Sequence, residues 1–307
     1  MKVSVVVATH AMARFDEFRE AVESVSEQTH DETEVIVVVD GDEAVYDRAL
    51  ALFGDAENVR LYCNDGTRGV SATRTRGAEL ASGDVVAFID DDAVADPEWV
   101  AELARIYRET DAVAVGGRID GKWLAGRPWY LPEEFDWLVG VTYPGFAEAG
   151  EELRNTFESN ISFTREVFLD LGGYDPELGP HGDDYSHSEG AELGARLRAA
   201  YGRGVVYNPD AVVEHKVFAE RTDVTHLLTR AFQQGVSKRR MERQAPEQGV
   251  GEESTYLRRL FADGVPRRAS EAIGSRSPVP LGEALMLVVF TAAVGLGYLW
   301  EAVAENV

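Results

Sequence analysis

The stretch Gly69–Ala93, GVSATRTRGAELASGDVVAFIDDDA, decides the fold that the rest of the sequence predicts. Its first part forms a helix, with Ser71 as a candidate N-terminal cap and an end near Ala81. A Ser-Gly-Asp break follows, and the continuous apolar run Val85–Ile89 then predicts a strand that is buried on both faces. Asp90-Asp91-Asp92 follows directly, so we expect this buried strand to end in concentrated negative charge.

Strands and helices alternate over residues 1–120. Apolar runs predict strands at Lys2–Ala8, Val35–Val39 and Val59–Tyr62, and apolar residues at helical spacing predict helices between them. This alternation is typical of an α/β fold with a mainly parallel sheet covered by helices on both faces. Ligands of such sheets bind beyond the carboxyl ends of the strands. Asp40 and the aspartate triplet both follow strands, so we expect them to face one crevice.

The charge balance excludes several classes of protein. The 307 residues include 54 acidic and 30 basic side chains, which gives a formal net charge of −24. Such a surface repels a polyanion, so the sequence predicts no nucleic-acid partner. The lone Cys63 excludes an internal disulfide framework and a cysteine-built zinc site. The sequence has no GxGxxG after its first strand and no GxxxxGK[ST], which argues against a dehydrogenase and a P-loop enzyme.

Lysine is almost absent, with 4 Lys against 26 Arg. Many acids with few lysines are typical of proteins from salt-accumulating archaea, because Asp and Glu hold water strongly in concentrated salt. Screening there also weakens the repulsion between acids. The alternative is an ordinary acidic protein from a GC-rich genome, in which Arg codons displace Lys codons. We expect a halophilic protein, which would unfold as salt is diluted.

The aspartate triplet is a candidate metal site. Alternate side chains of an extended segment point the same way, so Asp90 and Asp92 can share one ion. Carboxylate oxygens suit Mg²⁺ or Mn²⁺ bound together with substrate phosphates, and His215 could add a nitrogen ligand. The alternatives are a solvated acidic turn and a structural histidine.

Other polar residues could contact a nucleotide. Asp40 could accept a hydrogen bond from a base edge, or it could form an Asx turn that starts the next helix. Arg74 and Arg76 lie on the helix before the triplet and could face a diphosphate. The alternative is that both are surface arginines.

The C-terminal part differs from the rest in composition. Residues 121–157 concentrate aromatic side chains among Gly and Pro, which indicates a flap over the crevice, an acceptor surface or core packing. Ala284–Trp300 carries no charge over 17 residues, about 25 Å as a helix. We expect one transmembrane or membrane-associated helix here, and a buried or interfacial helix is the alternative. The arginine excess upstream would keep the N-terminal body in the cytoplasm.

Five segments taken in order carry a resemblance to a known family. VSVVVATH, VDGD, the opening stretch, SEGAELGARLRAA and VVEHK are similar to family 2 glycosyltransferases of the GT-A fold over about residues 1–220. The resemblance implies a UDP-sugar donor and Mn²⁺ or Mg²⁺ as the cofactor. It implies two groups of ligands: Ala8, Thr9, Asp40, Arg74, Asp90 and Asp91 for the nucleotide sugar, and Asp90, Asp92 and His215 for the metal.

The implied reaction is sugar transfer with inversion, and the family usually places a Glu-Asp pair at the start of a late helix. The Asp of that pair commonly acts as the base. Here the pair is Glu189-Gly190, so Glu189 becomes the candidate base. Asp183 and Asp184, a few residues earlier, are the substitutes.

Within the family the chain resembles haloarchaeal Agl-type transferases, among them a glucuronosyltransferase, which extend dolichyl-phosphate-linked glycans for N-glycosylation of the surface (S) layer. This implies a hexuronic acid donor, a dolichyl-phosphate-linked acceptor and a cell-membrane location. It also makes other enzymes of the pathway possible partners. Three segments are then expected: a GT-A catalytic domain at 1–220, a basic helical segment and linker at 221–280, and the membrane helix at 284–300. The alternatives are a polyprenyl-phosphate monosaccharide transferase and a non-catalytic nucleotide-sugar-binding scaffold.

Overall fold

The computed structural model describes residues 1–66, 69–177, 189–244, 256–275 and 277–304. The chain divides into two compact units. The first comprises Met1–Lys122 and Ala147–Lys216, and the second comprises Trp123–Phe146 and Val217–Val307. The two units are defined by contacts between residues. The three functional segments expected from the sequence, at 1–220, 221–280 and 284–300, stay a prediction.

A mixed sheet forms the centre of the first unit. Within the described residues its strands are β1 Val3–Thr9, β2 Thr33–Val39, β3 Val59–Cys63, β4 Val85–Asp90, β5 Ala93–Ala95, β6 Ala114–Trp123, β7 Glu152–Leu153, β8 Ile161–Thr164 and β9 Val205–Val217. Their order is β3-β2-β1-β4-β8-β6-β9-β5, with β7 paired to β9. The first four strands are parallel, as predicted. The pairs β4–β8, β6–β8, β5–β9 and β7–β9 are antiparallel.

Helices cover both faces of the sheet, as the apolar strand sequences predict. They are α1 Phe15–Ser26, α2 Glu43–Phe53, α3 Val70–Leu80, α4 Trp99–Glu109, α5 Arg165–Asp170 and α6 Glu189–Tyr201. Alternate residues of one strand serve the two faces: Val5 and Val7 pack in the core that contains α1, α2 and α4, while Val6 packs in the core that contains α3, α5 and α6. Strands buried on both faces therefore read as unbroken apolar runs.

Strand register brings the polar ends of β1, β2 and β4 together. Ala8 is paired with Asp90, and Thr9 is paired with Val39, immediately before Asp40. The backbone N–H of Asp40 donates to the Thr9 carbonyl at 2.8 Å. The expected meeting of Asp40 and the triplet at one sheet edge is therefore present.

The start of α3 differs from the prediction. Helix α3 begins at Val70 with Gly69 as its N-cap at φ 108°, a conformation that suits glycine, and Ser71 lies buried one residue inside the helix.

Strand β9 is continuous over Val205–Val217 and includes Asn208-Pro209-Asp210, a segment that is typical of a turn. The neighbouring strands of the sheet hold this segment extended.

The second unit is built from helices around an aromatic core. It contains α7 Val224–Gln244, a π-helical turn at Leu260–Gly264, α8 Val265–Ser275 and α9 Val279–Ala304, with a 3₁₀ segment at Glu133–Val139. Phe135 packs against Trp137 and Phe290, with ring centroids 5.7 and 5.3 Å apart. Much of the aromatic region therefore builds a core, which was one of its three predicted roles.

Helix α9 is long and apolar enough to cross a membrane, judged by length and composition alone. Only 11% of its most apolar stretch is buried. Six of its exposed large apolar residues recur at helical spacing and form one apolar face: Leu281, Leu285, Val288, Leu296, Leu299 and Val303.

Candidate active site

Asp90, Asp92 and His215 come together in the first unit. One potential ligand atom from each of them lies within 4.8 Å of the others. Asp90 ends β4 and Asp92 precedes β5, while the pairing of Ala93 with His215 brings β9 alongside. His215 Nε2 is 3.2 Å from Asp92 Oδ1. Two carboxylates and an imidazole form a donor set that fits Mn²⁺ or Mg²⁺.

Arg14 is a site residue that the sequence reasoning missed. Its Nη1 lies 3.1 Å from Asp92 Oδ2, and Asp92 is only 3% exposed. Arg14 ends the short 3₁₀ segment Met12–Arg14 that follows β1. Its position just after a strand that ends at the crevice was the signal available in the sequence.

The middle aspartate of the triplet is bound to β1. The Thr9 hydroxyl donates to Asp91 Oδ2 at 2.6 Å. Burial, followed by the neighbouring charge of Asp92, raises the pKa of Asp91 to about 6. Thr9 thus fixes the backbone that carries the two flanking aspartates.

Asp40 lines a cleft of about 570 Å³ together with His10, Gly41, Asp42 and Glu43. Its carboxylate accepts the backbone N–H of Gly69 at 2.8 Å and the Asn64 side-chain amide at 3.3 Å. Asp42, not Asp40, caps α2, since its side chain accepts the N–H groups of Ala44 and Val45. The helix-starting role that was the alternative for Asp40 therefore belongs to Asp42. The Asp40 carboxylate lies beside the cleft.

Arg74 is buried, with 6% of its surface exposed, and contacts two acids. Nη2 bonds to Asp90 Oδ1, and Nη1 is 3.8 Å from Glu189 Oε1. Arg76 is exposed and pairs with Glu79 on its own helix at 2.8 Å. The two arginines predicted as a pair therefore have different surroundings, and only Arg74 contacts the acidic cluster.

Glu189 begins α6 and is 2% exposed. Burial, followed by the charge of Glu158, raises the pKa of Glu189 to about 8. Glu158 lies in the 3₁₀ segment before β8, and burial raises its pKa as well. Sequence reasoning missed Glu158. The substitutes Asp183 and Asp184 lie outside the described residues.

A family model and a curated relative that match this chain both describe glycosyltransferases. The family model described as Glycosyl transferase family 2 matches residues 4–172. A curated relative from Haloferax volcanii, named glucosyl-dolichyl phosphate glucuronosyltransferase, is 46% identical over 307 residues. That match covers 100% of this chain and 98% of the relative.

Solved structures of low sequence identity share the fold. A mannosyltransferase from Pyrobaculum calidifontis in complex with GDP-Man and Mn²⁺ has a TM-score of 0.58 at 17% identity, covering 98% of this chain and 87% of that one. S. aureus TarS 1–349 in complex with UDP-GlcNAc has a TM-score of 0.54 at 14% identity, covering 96% and 91%. These similarities support the GT-A architecture that the sequence predicts.

Proposed function

Because this chain belongs to glycosyl transferase family 2, we propose that it transfers glucuronic acid from a UDP-sugar to a dolichyl-phosphate-linked saccharide. The observation that carries this proposal is the full-length similarity to a protein named for that activity. The site independently supports a metal-dependent sugar transferase, because two acids at the end of β4 and a histidine distant in sequence come together.

The proposed metal ligands are Asp90, Asp92 and His215. Their oxygen and nitrogen atoms suit Mn²⁺ or Mg²⁺. When bound, such an ion would offset negative charge on a diphosphate leaving group. Arg14 holds the Asp92 carboxylate in place at 3.1 Å, and Arg74 does the same for Asp90.

The proposed nucleotide pocket uses the ends of β1 and β2. Ala8 and Thr9 would line the uridine, and the Asp40 carboxylate would accept a hydrogen bond from the uracil edge. The bond from the Gly69 N–H to Asp40 supports this role, because it holds the carboxylate in a fixed position. Arg74 and the triplet would lie on the diphosphate side.

The proposed chemistry is a single displacement with inversion at the anomeric carbon. The acceptor hydroxyl attacks as the bond to the diphosphate breaks, and a carboxylate accepts its proton. The acids beside Arg74 are suited to this task. Glu189, the candidate named by the sequence, is one of them.

Association with the membrane would follow from α9 lying in the membrane plane. Helix α7 runs alongside α9, with Gly235 against the Val294 carbonyl and an Arg240–Glu301 ion pair at 2.7 Å. A spanning α9 would bring Gln, Lys and Arg side chains of α7 into hydrocarbon, at about 3 kcal/mol for each charge. An in-plane helix with its apolar face in the lipid avoids this cost.

The proposed location is the cytoplasmic face of the cell membrane, where nucleotide sugars are made. A lipid-linked acceptor requires an enzyme that binds the bilayer, and the apolar face of α9 supports such binding. The product would serve protein N-glycosylation of the S-layer, with other enzymes of the pathway acting before and after this step.

A product assay tests the proposed function. The full chain in lipid and molar KCl is incubated with MnCl₂, a panel of UDP- and GDP-sugars, and either dolichyl phosphate or glucosyl-dolichyl phosphate. We expect mass spectrometry to detect one added hexuronic acid on the glucosylated lipid only. Transfer to unglycosylated dolichyl phosphate would instead identify an enzyme that loads the first sugar. The absence of a product with every donor would favour a binding scaffold.

A further inference from the structure

Three acids surround the buried guanidinium of Arg74. Asp90 bonds to it, Glu189 lies 3.8 Å away, and the charge of Glu158 also acts on it. One cation cannot neutralise three carboxylates in a buried site, so at least one of them keeps a proton more readily than in water. Burial raises the pKa values of both Glu158 and Glu189, so these two acids are the candidates to keep it.

The side chain of Glu158 fills the space beside Gly190. A Cβ atom built on Gly190 would lie 1.7 Å from Oε1 of Glu158 and 2.8 Å from its carboxyl carbon. The backbone N–H of Gly190 is also hydrogen-bonded to this carboxylate. Glycine at position 190 therefore allows an acid from the segment before β8 to stand at the start of α6.

Surface exposure and hydrogen bonding differ between the two glutamates. Glu189 is 2% exposed, and no hydrogen-bond partner among the described residues reaches its buried Oε2. Glu158, taken as a whole residue, is half-buried, and its carboxylate accepts the backbone N–H of Gly190. Of the two residues, Glu158 is therefore the one that retains exposed surface, and its carboxylate is held in place at the start of α6. The unpartnered oxygen of Glu189 is suited to holding a proton.

We propose that Glu158 is the catalytic residue that removes the proton from the acceptor hydroxyl, and that Glu189 is a positioning residue behind it. This rests on the proposed function as a sugar transferase. The proton of the hydroxyl passes to a carboxylate oxygen of Glu158. The electron pair of the hydroxyl oxygen forms the bond to the anomeric carbon. The pair from the broken carbon–oxygen bond leaves with the diphosphate, so the step balances without another reactant.

Isosteric variants test this assignment. Glu158→Gln should lower kcat about 100-fold or more, the contribution expected of a general base, while UDP binding in the presence of Mn²⁺ and KM for the donor stay unchanged. Glu189→Gln should lower kcat less. Glu166→Gln, an exposed glutamate on α5, is the matched control and should retain wild-type kcat and Tm. A Glu158→Gln variant with wild-type kcat would overturn the proposal.

A carboxylate relocation separates chemistry from folding. Because the Glu158 carboxylate occupies the position of a side chain at residue 190, Glu158→Ala combined with Gly190→Asp returns an acid to the same place. We expect Glu158→Ala to lose turnover. The kcat of the double variant should be at least tenfold higher than the kcat of Glu158→Ala. Equal kcat in the two variants, with equal Tm and UDP binding, would contradict the assignment.

The same assays distinguish failure of the proposed function from failure of the Glu158 assignment. If the wild-type protein transfers no sugar, the proposed function is wrong. If the wild type is active and Glu158→Gln is equally active, only the assignment of Glu158 is wrong.

Discussion

Nη1 of Arg74 lies 3.8 Å from Oε1 of Glu189, while Nη2 of the same guanidinium bonds to Asp90. One side chain of α3 thus connects the end of β4 with the start of α6. This link joins the proposed metal ligands to the proposed proton acceptors within the first unit.

Removing this guanidinium should destabilise the fold. Arg74→Met leaves buried carboxylates without their cation, and the expected loss is about 3–5 kcal/mol of unfolding free energy. Denaturation in molar KCl measures it. Arg76→Met, on the same helix but exposed, is the control. If the two variants unfold at the same denaturant concentration, Arg74 is not a structural link.

Stability should fall as pH rises from about 5 to about 8. The pKa of Glu189 is raised from 4.5 to about 8 by burial, so the native state keeps a proton that the unfolded chain has lost. One such proton lowers stability by at most about 1.4 kcal/mol per pH unit. Thermal unfolding across this range should show a flatter profile for Glu189→Gln than for the wild type. Parallel profiles would show that Glu189 ionises normally.

Loss of the imidazole should raise the Mn²⁺ concentration that turnover requires. His215→Ala removes one of the three clustered side chains, and we expect activity at limiting Mn²⁺ to fall about 10- to 100-fold. Excess Mn²⁺ should restore part of it. His30→Ala, at a histidine bonded to the Met1 carbonyl, is the control. An unchanged Mn²⁺ titration of activity would remove His215 from the ligand set.

Charges on the apolar face of α9 should release the protein from lipid. Leu285→Glu together with Leu296→Glu places two carboxylates where we expect acyl chains, so sedimentation with vesicles should fall at least tenfold. Leu52→Glu, at an exposed leucine of α2, should not change it. Undiminished sedimentation of the double variant would contradict binding through this face.

The parallel half of the sheet could be predicted because each of its strands is a local apolar run. The antiparallel half could not, since β5 has only three residues and β9 contains an Asn-Pro-Asp segment that favours a turn. Both depend on neighbours that are distant in sequence.

The site shows the same contrast. The sequence named Asp40 and Asp90 because each follows a predicted strand, and it named Thr9 through the family resemblance. Arg14 and Glu158 lie in short 3₁₀ segments, where periodicity predicts nothing. The sequence did contain one clue to Glu158. Glycine replaces the usual aspartate at position 190, and this leaves space beside residue 190 for the Glu158 side chain.

Binding of Mn²⁺ tests the central claim most directly. Electron paramagnetic resonance counts bound Mn²⁺ in the presence of UDP, with Asp47→Ala, an exposed acid of α2, as the control. We predict one tightly bound ion in the wild type and the control, and its loss in Asp92→Asn with Tm retained. One equally tight ion in Asp92→Asn would contradict the account.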